Sequence, residues 1–375
     1  MILGNKSKFP IGLDISDLSL KLVQLDQIRG KIKIQALGKQ ILPKGIIENG
    51  EIINREEALK AINKLLSKPK FGAVSTNEVV ACLPETKTFV KTIEIEESPN
   101  KISDIIEHEI EKYVPFSIDE MYYDWQIIKK YDNKILIMVG AAPKTIVDQY
   151  TELLTDAKLS IRALEIEPIS ICRCLLPEES PKYDKKISKN YAILDIGAKR
   201  TSIIIYASNT VITSISLPIS GEETTDKISK TLEISYDQAE KAKVICGMDK
   251  TKAQGVISEI LTQKVNDLAN RLQETISFYH NQYENFGPID EILLCGGGSN
   301  ILDLDRAIFE STKIKTLRAD LFINLSEIEE KFSKILNENH YAKDKNKTVI
   351  FKQTSIYAYA TTIGLALRGI FLKDE

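Results

Sequence analysis

Tyr191 to Tyr206 is an apolar run that ends in Asp195, turns at Gly197, passes Ala198, Lys199 and Arg200, meets a hydroxyl at Thr201 and runs apolar again. That order predicts a buried β-hairpin with a polar tip. Phosphate chemistry suits such a tip. Glycine lets the backbone turn its N–H groups outward as a concave donor array. An aspartate beside it can hold a hydrated Mg2+, and Thr201 can donate its hydroxyl to a phosphate. Asp-x-Gly turns also close hairpins that bind nothing. A second copy stands near the N-terminus, in Gly12-Leu-Asp14-Ile-Ser16-Asp17-Leu-Ser19-Leu-Lys21: strand, aspartate, polar turn, hydroxyl, strand. The two aspartates are about one domain length apart, so the chain reads as two similar halves. A third element, Ile289 to Cys295, is an apolar strand that empties into Gly296-Gly297-Gly298-Ser299. Three consecutive glycines cost chain entropy and mark close approach to the backbone. A helix start beyond them would add N–H donors.

Composition removes several other chemistries. The chain has 375 residues, 43% hydrophobic and 27% charged, enough for two or more buried cores. A net charge of −3 carries no electrostatic footprint for nucleic acid. The lysine-rich runs at 182–189 and 343–347 are broken by Asp and Asn and read as solvated loops. Five scattered cysteines without metal spacing predict reduced thiols in a cytosolic compartment. Three dispersed histidines offer neither a zinc site nor a Ser/His/Asp arrangement. Met1 to Lys8 lacks the apolar core of a signal peptide. No run of about 18 apolar residues occurs, so any membrane association is expected to pass through a partner.

Residues 9–42 predict a three-stranded meander carrying the Asp14 turn, followed by a helix over Arg55 to Leu66. Residues 78–157 read as a ββαββα module. Its first helix carries Ile102, Ile105, Ile106, Ile110 and Tyr113 on one stripe and stops at Pro115. Glu167-Pro168 opens another helix, with proline and a carboxylate where a first turn tolerates them. Residues 177–190 read as the boundary between halves. Beyond the second hairpin, Ser235-Tyr-Asp-Gln238 carries a capping-box pattern. A long helix spans Gly255 to Phe286, and a glycine- and alanine-rich helix spans Ser355 to Phe371.

The two aspartate turns and the glycine run, in this order, resemble the two phosphate loops and the adenosine loop of the actin, hexokinase and heat-shock ATPase superfamily. The resemblance implies an α/β fold, the actin-like (ribonuclease H-like) two-lobed ATPase fold with an inserted ββαββα subdomain. It implies a first lobe core at 1–77 and 158–189, the insert at 78–157, a second lobe core at 190–221 and 288–375, and a helical subdomain at 222–287. It narrows to the type IV pilus assembly PilM family, relatives of the cell-division protein FtsA. The residues that carry it are Val80-Ala-Cys-Leu-Pro84, His108 to Glu120, Ala141-Ala-Pro-Lys144, Glu165-Ile-Glu-Pro168, Ser220-Gly-Glu222, Ala239 to Lys243 and Ile363 to Gly369.

Membership would imply a cytoplasmic protein that binds ATP with Mg2+, at most a slow ATPase. It would dock on the cytoplasmic N-terminal segment of a PilN-like single-span membrane protein and work with other pilus platform and motor proteins. Localisation would be peripheral to the inner membrane through partners, with a homo-oligomer open. Carried over, Asp14, Ser16, Ser19 and Lys21 would face the phosphates from one side, and Asp195, Gly197, Ala198, Thr201 and Gly221 from the other. Asp14 and Asp195 would steer Mg2+ through its waters. Glu240 and Lys243 would reach the ribose or form a solvated helix pair. Gly296, Gly297, Gly298 and Ser299 would pass beneath the adenosine. Glu167 would sit near an attacking water or be a helix-start charge. Tyr113, Pro115 and Phe116 would line the partner groove or pack internally. The first loop departs from the family pattern, which has glycine where Ser16 stands and a small hydroxyl where Asp17 stands. An acidic Asp17 there is expected to repel a nucleotide unless Mg2+ or Lys21 offsets it. An FtsA-like tether would need a basic amphipathic helix, which Phe371 to Glu375 does not form. A small-molecule kinase would need an acceptor pocket with a base near Asp14 or Glu167.

Overall fold

The computed structural model describes residues 9–96, 102–112, 117–178, 189–326, 341–343, 349–351 and 356–372. The chain divides into two compact units. The first is Met1–Glu179 with Leu321–Ile328 and Ala360–Glu375; the second is Ser180–Asp320 with Glu329–Tyr359.

In the first unit the predicted meander forms as β1 (Ile11–Ser16), β2 (Ser19–Ile28) and β3 (Lys31–Ile41), each antiparallel to the next. A short hairpin, β4 (Ile47–Glu48) and β5 (Glu51–Ile52), leads to α1 (Arg55–Ser67), whose N-cap Asn54 accepts from the Glu57 N–H. After β6 (Phe71–Gly72), β7 (Glu78–Leu83) runs parallel to β1 and completes the sheet with β11 (Ser160–Ile166), in the order β11-β7-β1-β2-β3-β6. The elements between are β8 (Phe89–Glu96), α2 (Ile102–Glu111), β9 (Met121–Tyr131), β10 (Lys134–Pro143) and α3 (Lys144–Asp156).

The order ββαββα is as expected, but the module boundary is narrower than 78–157. β7 belongs to the main sheet, and α3 buries Ile146, Tyr150, Leu153 and Leu154 in the core beneath β1 and β2. The insert proper is β8, α2, β9 and β10, with β10 between the other two strands and Ile106 and Ile110 of α2 on its own small core. Apolar content decides this: Val79 and Ala81 point into the main core while Val80 and Cys82 line the opposite face, so β7 is buried on both sides. Helix α4 (Glu167–Leu175) starts at the predicted Glu-Pro pair.

The second unit contains β12 (Tyr191–Ile196), β13 (Thr201–Ala207) and β14 (Thr210–Leu217), then α5 (Gly221–Leu232), α6 (Tyr236–Cys246) and α7 (Val256–Gln282). β15 (Glu291–Cys295), α8 (Leu304–Thr312) and β16 (Thr316–Arg318) follow, and the strands neighbour one another in the order β16-β15-β12-β13-β14. The capping box at Ser235 and Gln238 is formed. Helix α5 begins at Gly221, where Ser220 caps it by accepting from the Glu223 N–H.

The last helix, α9 (Ala360–Phe371), belongs with the first unit, where the sequence reading had counted 288–375 in the second lobe. Its small residues set this. Gly12 of β1 fits only because it has no Cβ: one added there would lie 2.3 Å from the Thr362 carbonyl oxygen. The sheet therefore has two unlike faces, one covered by α1 and α3 and the other approached by α9 at Gly12.

Candidate functional site

Asp14 and Lys21 face each other across β1 and β2, and both are nearly buried. The Lys21 ammonium donates to Asp14 Oδ2 at 2.6 Å. The other oxygen, Oδ1, accepts from the Cys82 thiol of β7 at 3.6 Å. Burial first, then the Asp14 and Glu167 carboxylates, pushes the Cys82 thiol well above its ordinary pKa, so it stays a protonated donor. Nothing local in the sequence announces Cys82 as a neighbour of Asp14; the parallel pairing of β1 with β7 creates it. Ser16 Oγ donates to the Ser19 carbonyl at 2.9 Å, closing the turn on itself. Ser19 is buried at the start of β2.

Asp17, the acidic residue of this turn, is engaged by backbone donors. Its carboxylate accepts from the Asn49 N–H at 2.9 Å and the Gly50 N–H at 3.0 Å, at the tip of the β4–β5 hairpin. Two backbone donors thus meet the charge. The Gly50 carbonyl in turn accepts from the buried Tyr150 hydroxyl of α3 at 3.0 Å. Glu167, the first residue of α4, accepts from the Thr361 hydroxyl of α9 at 2.8 Å, so one of its oxygens holds two helices of the first unit together.

In the second unit the β12–β13 hairpin forms in the predicted register, with Gly197 N–H on the Arg200 carbonyl at 2.9 Å. Asp195 is the last residue but one of β12, and Ala198 is exposed at the tip. Thr201 corrects the expectation placed on it. It is fully buried and donates its hydroxyl to the Ile219 carbonyl at 2.8 Å, so it holds the segment before α5 and does not offer its proton to a phosphate. The start of α5 docks on the same turn, with Gly221 N–H on Gly197 O at 3.3 Å and Glu222 N–H on Ala198 O at 2.9 Å.

Lys243 also differs from the expected ribose contact. It is 3% exposed, and its three protons go to Gly221 O at 3.0 Å, Thr225 Oγ1 at 2.8 Å and Glu240 Oε2 at 2.7 Å. The Glu240 side chain remains 42% exposed, so it is the member of the pair that can still meet a ligand. Lys243→Met is expected to destabilise the second unit by about 2 kcal/mol, because the buried Thr225 hydroxyl and the partly buried Gly221 carbonyl each lose a charged donor while the exposed Glu240 is screened by water. A denaturation midpoint unchanged from the wild type would contradict this role.

The glycine run sits directly on the hairpin. A Cβ on Gly296, whose φ is +76°, would lie 2.2 Å from Asp195 Oδ1, and one on Gly298 would lie 2.2 Å from Ile196 Cγ2. Gly297 is exposed, with open space where a side chain would be. Ser299 is buried and turns its hydroxyl back to the Gly296 carbonyl at 2.7 Å, fixing the run instead of facing outward. Among the described residues no three His, Cys, Asp or Glu side chains converge as metal ligands. With Asp17 turned to the Asn49 and Gly50 amides, Asp14 and Asp195 are the carboxylates left at the two turns, and one from each fits an Mg2+ that keeps its water shell better than one stripped of it. Tyr113, Pro115 and Phe116, the expected partner groove, lie outside the described residues. Among the described residues no helix is long and apolar enough to cross a membrane.

Comparison with known proteins gives the fold and the family. The solved structure of a PilM-PilN type IV pilus biogenesis complex superposes with a TM-score of 0.75 at 20% identity, covering 97% of this chain and 99% of that one. MreB5 of Spiroplasma citri, solved bound to ADP, matches with a TM-score of 0.50 at 14% identity over 89% of this chain and 99% of that one. The fold is thus that of the actin-like ATPases. Cell division protein FtsA of Enterococcus faecalis is 22% identical over 90% of this chain and 86% of its own length. The family model described as type IV pilus assembly protein PilM matches residues 12–370, nearly every element described above, and the chain belongs to that family.

Proposed function

We propose that this pilus assembly protein binds ATP with Mg2+ through the Asp14–Lys21 turn, the Asp195–Gly197 turn and the Gly296–Gly298 run. We further propose that it docks on the cytoplasmic N-terminal segment of a PilN-like membrane protein. It would then work in the cytoplasm, held at the inner membrane by that partner. The observation that carries the nucleotide reading is the close approach of the Gly296 backbone to the Asp195 carboxylate, which leaves no room for a side chain between them. Bare backbone pressed against an acidic turn, next to an open position at Gly297, suits a base and its phosphates on one continuous surface. Asp195 and Asp14 would each orient waters of Mg2+. Glu240 would take the ribose hydroxyls, with Lys243 fixing its carboxylate and the start of α5. Glu167 keeps one oxygen on Thr361, which favours a positioning role over proton abstraction. The docking reading is supported by the family and by the partner named in the PilM-PilN structure.

Titration of the full chain with ATP, with and without Mg2+, tests the first part. Asp195→Ala is expected to weaken Mg-dependent binding by about tenfold or more, roughly 1.4 kcal/mol. The same variant should still capture a peptide from the cytoplasmic end of a PilN-like protein. A wild type that binds no ATP ends the nucleotide reading; one that ignores the peptide ends the docking reading.

A further inference from the structure

Three charged side chains stand in one row on the first unit's sheet. The register pairs Asp14 of β1 with Lys21 of β2, and Lys21 with Lys39 of β3. Residues directly opposed on neighbouring strands share a face. Gly12, two residues before Asp14, meets α9 on that same face. The row therefore lies on the side away from α1 and α3. Gly38, the residue before Lys39, points the other way: a Cβ there would lie 2.6 Å from Leu65 of α1, which pins β3 and fixes the direction of Lys39.

Two lysines opposed across an antiparallel pair repel each other. Asp14 neutralises Lys21, to which it is bonded at 2.6 Å. Lys39 is exposed and makes no ion pair or hydrogen bond among the described residues. The row thus carries one uncompensated positive charge beside the first phosphate-type turn. A positive charge placed against another positive charge, with no partner of its own, is the arrangement an anion would relieve.

We propose that Lys39 is an anion-binding residue of this chain, which with Lys21 holds a phosphate group of the bound nucleotide. The assignment rests on the nucleotide reading above. The surrounding charges agree with it. Burial of part of the side chain, then Lys21, with Lys70 in the same sense and Asp14 opposing, lowers the Lys39 pKa to about 8. Solvent still reaches the exposed residue and screens the electrostatic part. A phosphate against it favours the charged form and moves the pKa back up. Below pH 8 Lys39 is charged with or without ligand, and affinity is level. Above pH 8 binding must take up a proton, so affinity falls as pH rises, by at most tenfold per unit.

The test is ATP titration of the full chain with Mg2+ between pH 7 and 9.5, for the wild type, Lys39→Arg and Lys39→Gln. The wild type is expected to lose about tenfold in affinity across the upper part of that range. Lys39→Arg should bind as the wild type does at pH 7 and keep that affinity to pH 9.5, since guanidinium does not titrate there. Lys39→Gln should be weaker by about tenfold at pH 7, roughly one charge-assisted contact, and level with pH. If Lys39→Gln binds within twofold of the wild type with the same pH profile, the Lys39 assignment is wrong while the nucleotide reading survives. If the wild type binds no ATP at any pH, the nucleotide reading fails and the assignment goes with it.

Discussion

Glu165→Ala is expected to cost about 3–5 kcal/mol of stability in the first unit. The Glu165 carboxylate is 5% exposed at the end of β11, and three donors converge on it. Arg173 of α4 binds it with both terminal nitrogens, at 2.7 and 2.9 Å, and Arg368 of α9 reaches it at 2.5 Å. Arg173 also donates to the Gly364 carbonyl at 3.0 Å, so one acidic group ties a strand and two helices. A fork-shaped, doubly bonded pair of this kind is held by geometry as well as charge. Truncation leaves Arg173, whose side chain is largely buried, with its charge uncompensated. Arg368 is more exposed, and Arg368→Ala should cost far less, on the order of 1 kcal/mol. The check is chemical denaturation of both variants. Equal, sub-kilocalorie losses would show that α4 and α9 are joined by apolar packing alone.

Gly364→Ala is also expected to be damaging, though it adds only a methyl group. That methyl would lie 1.7 Å from the Ser170 carbonyl oxygen of α4 and 2.5 Å from its carbonyl carbon, both backbone atoms that no rotamer change can move. Alanine in place of a helical glycine normally gains about 1 kcal/mol. Here the clash opposes it, because α4 and α9 must separate, and overpacking of a close helix contact costs about 1–3 kcal/mol or more. The net expectation is a loss of about 2 kcal/mol or more, read as a lowered midpoint in thermal unfolding. A stabilised Gly364→Ala protein would mean that the two helices do not approach this closely.

The parts of this fold legible in the sequence were those whose signal is local. The Asp14 and Asp195 hairpins, the Ser235 capping box and the glycine run all formed where residue type and spacing put them. The short strands β11, β14 and β16 were not foreseen. Serine, threonine, glutamate and arginine interrupt their apolar residues, so their pairing comes from neighbours already in place. The insert's boundary was misread for a similar reason: β7 and α3 are contiguous with it in sequence but bury their apolar faces in the main core.

At the candidate site the backbone features were readable and the hydrogen-bond directions were not. Thr201, Lys243 and Ser299 have the right types at the right spacing, yet each spends its protons on carbonyls or side chains of its own unit. Whether a hydroxyl or an ammonium points at a ligand or at a neighbouring loop depends on tertiary placement, which spacing alone does not carry. Cys82 and Lys39 are not legible as site residues in the sequence, because strand register, not sequence proximity, brings them beside Asp14 and Lys21.

Asp17 carries a last consequence. Its carboxylate is moored to the amides of Asn49 and Gly50, and Gly50 is moored to Tyr150 on α3. The phosphate-type turn is therefore braced by a hairpin and by a helix that lies more than a hundred residues further along the chain. A mooring of this kind works in both directions. Removing the Tyr150 hydroxyl from α3 is therefore expected to loosen the Asp17 turn as well.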